Sequence, residues 1–233
     1  MKKIIILIFS FLQLQAAGQF KAEKIKLGIQ SGVVYAQHED LKSVNQQVIG
    51  QLPFKVNLVD DFEPAYYYGV YLQYELFKRF CIGPVYEYIF TGSQLGVRDY
   101  SGKFSFNQYL HAHESGLKLD YSAYVYKKLR INTQLNSGVC LTDWKMISTI
   151  ELGDNAEYSD TQEENFKGSS WYTSTDLTIS YRIIPQICLM GSVGYSFDKD
   201  KSYYYVEDKN LDLDKIPDWS GLNISLVLEF TWK

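Results

Sequence analysis

Residues 219–233 read W-S-G-L-N-I-S-L-V-L-E-F-T-W-K. Leu222, Ile224, Leu226, Leu228, Phe230 and Trp232 fall on one parity. Gly221, Asn223, Ser225, Glu229 and Thr231 fall on the other, where Val227 is the only apolar residue. A period of two over this length describes a strand with one greasy and one polar face, and it does not fit a helix. An aromatic stands next to the carboxyl end. The stretch reads as the closing strand of a transmembrane β-barrel.

Seven more segments repeat the alternation, at residues 24–36, 65–77, 80–91, 116–126, 129–142, 171–183 and 187–198. Pro84 removes a ladder donor from the third strand, so a bulge is expected there. Three connections are short: Lys78-Arg79, Lys127-Lys128 and Ile184-Pro185-Gln186. Four are long, at 37–64, 92–115, 143–170 and 199–218, and they are expected to be loops. Phe104, Phe106 and Gln108 alternate inside the second of these, which allows part of it to extend the following strand. An even strand count with short turns at one end is the outer-membrane pattern. The expected fold is therefore all-β, an eight-stranded antiparallel up-and-down transmembrane barrel.

Charge and glycine decide which face is inside. Lys24, Lys26, Glu75, Glu87, Lys118, Asp120, Arg130, Asp176, Arg182 and Glu229 all lie opposite the greasy face. Eight of the strand glycines share the charged face, and only Gly191 lies on the greasy one. An eight-stranded barrel has just enough room inside for side chains, so the crowded face should hold the glycines. The charged face is then the lumen and the Leu/Ile/Tyr face meets lipid. Tyr35, Tyr66, Phe80, Tyr88, Phe90, Trp171, Phe197, Trp219, Phe230 and Trp232 would form the interfacial girdles. Buried charges require partners. Glu75, Glu87, Asp120, Asp176 and Glu229 are expected to pair with Lys26, Lys118, Arg130 and Arg182 in one luminal network. A lumen filled in this way argues against a wide porin.

Residues 1–18 have two lysines, an apolar run and small residues at Ala16, Ala17 and Gly18. They read as a secretory signal peptide, leaving 19–233 as the barrel domain. The three cysteines are odd in number and lack a C-x-x-C spacing, so neither a redox motif nor zinc is expected. A net charge of -4 argues against nucleic acid as a partner.

With its A-A-G-Q leader end, the Y-E-L-F-K-R-F-C-I-G hairpin at 74–83, D-Y-S-G at 99–102 and the aromatic terminal strand, the chain resembles the small outer-membrane β-barrel proteins typical of Bacteroidetes. More distantly it resembles the eight-stranded OmpA and OmpX barrels. The resemblance implies an integral protein of the Gram-negative outer membrane, among lipid and lipopolysaccharide. It also implies that Leu228, Phe230 and Trp232 form a signal for the barrel-assembly machinery. Lys233 follows the aromatic on which such chains usually end.

Two motifs raise chemistry. His113 and Ser115 share an outward strand face, similar to the H-x-S of the PagL lipid A deacylases, and a nucleophile beside a base suits acyl transfer. An orienting acid is not identifiable, and polar residues at the upper membrane edge explain the pair better. His111 and His113 with Glu114 or Asp99 do not make a metal site without a fixed third ligand. The acidic long connections lack calcium-loop spacing. The expected role is non-enzymatic, structural or surface-interacting, with no cofactor and with any extracellular ligand on the four long connections. The alternatives are a lipid A hydrolase and a narrow pore.

Overall fold

A computed structural model describes residues 24–52, 55–99, 102–152, 158–207, 213 and 216–232; the leader lies outside them. The elements are β1 (Ile25–Ala36), α1 (Glu39–Gln51), β2 (Asn57–Asp61), β3 (Ala65–Phe77), β4 (Phe80–Asp99), β5 (Gly102–Tyr126), β6 (Leu129–Leu152), β7 (Tyr158–Ile184), β8 (Ile187–Tyr205) and β9 (Gly221–Thr231). Each long strand pairs antiparallel with its neighbour, and β9 returns to β1 from Lys26↔Thr231 to Ala36↔Gly221. All strands but β2 thus close one eight-membered ring. β2 lies against the upper part of β4.

The faces follow the parity of the sequence. On β3, Tyr67, Gly69, Tyr71 and Gln73 are buried, while Tyr66, Tyr68, Val70 and Leu72 are exposed. Pro84 interrupts the β3–β4 ladder, where the pairs jump from Tyr71↔Val85 to Tyr74↔Ile82, but it does not shift the register. It pairs with Leu117 in an unshifted register, and the β3–β4 irregularity falls at Glu75/Phe77 beside the turn. The expected bulge at Pro84 is therefore corrected.

Crowding explains the placement of the glycines. A Cβ on Gly28 would stand 2.0 Å from the Tyr71 ring, and one on Gly168 would stand 2.2 Å from Tyr203. A Cβ on Gly32 would likewise meet the Tyr67 ring, and one on Gly116 the Tyr172 hydroxyl. Four tyrosines thus lie inside the barrel over four glycines. A Cβ on outward-facing Gly191 would meet nothing within 4 Å.

The turns at Lys78-Arg79 and Lys127-Lys128 join their strands directly. Arg79 (φ 78°) and Lys127 (φ 51°) occupy the left-handed region. That region costs a non-glycine residue roughly 1–2 kcal/mol, and tight hairpins ordinarily place Gly or Asn there. In the third turn only Pro185 and Gln186 lie outside the strands, and Ile184 belongs to β7.

All four long connections differ from the sequence expectation. The described residues within 92–115 and 143–170 are strand, not loop. β4, β5, β6 and β7 run through them in register, and Asp99 pairs with Gly102. Residues 37–64 hold α1 and β2. Leu41, Val44, Asn45, Val48 and Leu52 follow a helical period, which a search for alternation passes over. Glu39 and Asp40 in the first turn complement the helix dipole. Of the fourth connection, β8 takes the part up to Tyr205.

Candidate functional site: the lumen and its two mouths

The lower lumen, toward the short turns, is filled with polar groups. Lys26 Nζ lies 3.7 Å from Glu229 Oε1, and the Tyr71 hydroxyl donates to Glu229 Oε2 at 3.1 Å. Lys118 Nζ donates to Gln30 Oε1 at 3.5 Å and stands 4.5 Å from the Tyr71 ring centroid. Gln30 in turn donates to Glu87. Gln134 donates to Asp120 at 2.7 Å, and Asn136 and Ser174 both donate to Asp176 at 3.3 Å.

Of the nine charged residues expected to pair, only Lys26 and Glu229 come within 4 Å of each other among the described residues. Lys118 and Glu87 are joined through Gln30, while Asp120 is held by Gln134, and Asp176 by Asn136 and Ser174. An amide can donate and accept at once, so Gln30 joins an ammonium to a carboxylate that do not meet directly. Arg130 and Glu75 lie at the turn-end mouth, and Arg182 is half-buried on the inner face of β7. Glu114, 5% exposed, joins the luminal face although the sequence reading did not include it there. Its parity matches Lys118 and Asp120; starting the strand at residue 116 hid it. The free space at mid-lumen is about 20 Å³, with room for about one water.

Toward the loop end the filling changes character. Trp144, Phe166, Leu110, Tyr172 and Phe62 pack there around Trp219 and Leu41. Trp219 is 2% exposed, and its Nε1 donates to Thr142 Oγ1 at 3.0 Å. It is therefore a plug residue and not part of an interfacial girdle. Its bonds explain why. The segment before β9 turns into the barrel, where Trp219 N donates to Asp198 Oδ2 at 3.2 Å. Lys201 ties Asp198 (3.7 Å) to Asp218 (2.9 Å). Burial opposes the charge on Asp218, but the Lys201 ammonium and Ser220 outweigh it and hold the carboxyl below its usual range.

α1 is fastened over this plug by a polar chain. Trp144 Nε1 donates to Gln108 at 3.0 Å, Gln108 donates to Asn45 at 2.7 Å, and Asn45 donates to Asp61 at 2.9 Å. Around it Val44, Val48, Ile49 and Leu52 pack on Leu95, Phe104 and Phe106. His38, 2% exposed, sits between Phe62 and Trp219, edge-on to the indole at 4.9 Å. Burial lowers its pKa to about 3, so the ring is neutral at ordinary pH.

His111, His113 and Ser115 face outward on β5, on the parity opposite buried Glu114. Their spread to opposite faces rules out the pairing of these histidines with Glu114 at one metal. Asp99 lies at the far tip of β4, paired with Gly102. His113 Nδ1 is 2.7 Å from the Tyr86 hydroxyl, and His111 Nδ1 is 2.6 Å from that of Tyr88. The nitrogen of His113 nearest its own backbone thus bonds a phenol. Tyr88 and His111 stack with rings 10° apart, beside Phe90, Tyr66 and Tyr68. The group forms an aromatic band on the outer wall. Leu228, Phe230 and Trp232 lie on the outer face of the terminal strand, with Trp232 55% exposed. Cys81 and Cys140 are buried and all three thiols are free.

No protein-family model and no curated protein matches the chain. Among solved structures it is similar to Neisserial surface protein A, at 8% identity over 90% of this chain and 97% of the other, with a TM-score of 0.42. It is also similar to a major outer membrane protein of Thermus thermophilus, at 11% identity over 88% and 99% of the two chains, with a TM-score of 0.44. A third similarity is to the outer membrane protease OmpT of Escherichia coli, at 10% identity over 91% and 98%, with a TM-score of 0.38.

Proposed function

We propose that this chain is a non-enzymatic integral protein of the Gram-negative outer membrane. Its role is structural or surface-interacting, with binding carried by the loop end. The observation that supports this reading most directly is an apolar belt around the lower barrel. Every strand of the ring contributes to it: Ile29, Val70, Tyr86, Leu117, Leu135, Ile179, Val193 and Leu226 are all exposed. Soluble proteins rarely expose contiguous apolar patches beyond a few hundred Å². An 11-residue strand such as β9, tilted by ~40°, reaches roughly 28 Å along the barrel axis, close to the height of an outer-membrane apolar band.

Aromatics edge the belt on both sides. Tyr35, Tyr66, Tyr68, Trp171 and Phe197 lie toward the loop end, and Phe77, Tyr124, Tyr126, Tyr181 and Trp232 toward the turns. The outward placement of Leu228, Phe230 and Trp232 supports the reading of the terminal strand as a signal to the barrel-assembly machinery. The nearly filled mid-lumen argues against a conducting pore. Residues 37–64 and 199–218 and the hairpin tips within 92–115 and 143–170 are the surfaces available to an extracellular ligand and to lipopolysaccharide.

Heat-modifiability tests the reading. The mature protein extracted from membranes should migrate as a compact band until boiled, then shift. A soluble periplasmic protein with no shift would overturn it. Lipid A mass spectra unchanged between wild type, deletion and Ser115→Ala are expected; loss of an acyl chain that depends on Ser115 would make it an enzyme.

A further inference from the structure

The geometry points to a phosphate-class anion site in the turn-end mouth of the barrel, built from Lys26, Lys78, Arg79 and Arg130. These four cations meet Glu75 and Ser122 around a cavity of about 350 Å³, open toward the turns. The pocket is large enough for a phosphate ester headgroup.

The charge count favours an anion. Lys26 is matched by Glu229 at 3.7 Å. Glu75 offsets one more cation, which leaves two unmatched. Among the described residues, no carboxylate lies within 4 Å of Lys78, Arg79 or Arg130. Two guanidinium groups at one mouth suit the oxygens of a phosphate, which an arginine can grip with two parallel N–H bonds. The backbone adds a separate observation. Arg79 holds φ 78° in a two-residue turn where glycine would be unstrained. Lys127 in the next short turn is held the same way (φ 51°), so both turns keep a cation against their local backbone preference at this end of the barrel.

The anion has two sources of the same chemistry, a soluble phosphate compound or the headgroup of an anionic phospholipid in the leaflet at the turn end. The test uses the whole mature barrel refolded in zwitterionic detergent. Calorimetry with inorganic pyrophosphate should show binding that Arg79→Gln and Arg130→Gln each weaken at least tenfold, while Lys103→Gln at the opposite end leaves it unchanged. Native mass spectrometry should then separate the sources. Retention of phosphatidylglycerol over phosphatidylcholine, lost in the same variants, assigns a lipid headgroup; pyrophosphate binding without that preference assigns a soluble anion. The gel shift on boiling reports folding of each variant. If Arg130→Gln does not fold, Arg79→Gln, at an exposed turn, decides alone. A wild type that binds no pyrophosphate and shows no lipid preference overturns the site, as does binding that neither substitution changes. The pyrophosphate measurement in detergent does not depend on the membrane reading, so the two fail separately.

Discussion

A single strand passes through both halves of this molecule and changes its chemistry on the way. In the lower half, β5 turns Glu114, Lys118, Asp120 and Ser122 inward and Leu117, Leu119 and Tyr121 outward. In the upper half the same strand turns Phe104, Phe106 and Leu110 inward and Lys103, Ser105 and Asn107 outward. No register slip separates the two halves on its β4 side, where pairs run unbroken from Phe80↔Tyr121 to Asp99↔Gly102. β6 and β7 behave alike, with Trp144 and Phe166 inside above and Asn136 and Asp176 inside below. The inversion teaches that parity and polarity are independent. Parity is fixed by the pleat, whereas polarity reports the solvent that each half meets. On the membrane reading, the outer solvent below is apolar and the lumen holds the charges. Above, the outer solvent is water and the inside is an ordinary hydrophobic core capped by α1.

The largest expected effects test whether the two fillings are separate. Glu229→Leu leaves Lys26 buried without its partner, a change that typically costs about 3–5 kcal/mol. It should lower the boiling-shift temperature of the whole barrel, and adding Lys26→Met should recover much of the loss. Phe106→Ala removes a comparable amount from the upper core, about 3–5 kcal/mol, but locally. Faster proteolysis around α1 with an unchanged gel shift is the expected result. Loss of the shift in Phe106→Ala would mean that the halves fold as one unit.

Next comes the outer wall. Leu117→Arg puts a cation in the middle of the belt and should cost about 2–4 kcal/mol in a bilayer, read as reduced folding yield into liposomes. Ser159→Arg, on the outer face above the belt, should be nearly silent. Equal effects at the two positions would remove the distinction.

The glycine pairs offer a finer contrast. Gly28→Val would collide with Tyr71 inside the barrel, and overpacking of this kind typically costs about 1–3 kcal/mol. Gly191→Ala, with open space around it, should change stability by no more than about 0.5 kcal/mol. Urea titrations in detergent compare the two.

The last effect is confined to the plug and appears only in acid. His38 is neutral when folded and has its pKa held near 3, below the ordinary value of 6.5. A depressed folded pKa means that its contribution is complete above pH 6.5 and is lost as pH falls toward 3. Tryptophan fluorescence and hydrogen exchange at Trp219 should therefore loosen with acid over that window, and His38→Phe should flatten the response. An unchanged pH response in the variant would place the sensitivity elsewhere.

Much of this architecture is readable from the residues alone, and the reasons are local. Alternation on residues 65–77 and 221–231 assigns each side chain a face without any tertiary information, because successive Cβ atoms on a strand point to opposite sides. The outward direction of His113 and Ser115 follows in the same way, as does the crowding that selects Gly28 and Gly32. The strand ends were hidden because residues 92–115 and 143–170 continue the parity with the polarity reversed. A search for a greasy outer face stops where that face turns polar. α1 was hidden because Leu41, Val44 and Val48 keep a different period, and Trp219 because an aromatic before a strand looks the same whether it turns to the interface or into the lumen.

The order of the amino acids dictates the pleat: eight alternating strands, their inner and outer faces and the short turns between them. What those faces touch is settled by the closed barrel. Stagger between strands far apart in the chain brings Glu229 to Lys26 and Tyr71, leaves Lys118 to amides, gathers Lys78, Arg79 and Arg130 at one mouth and draws Trp219 into the other. Contacts across a closed ring depend on register and curvature, and these arise only when all eight strands pair at once.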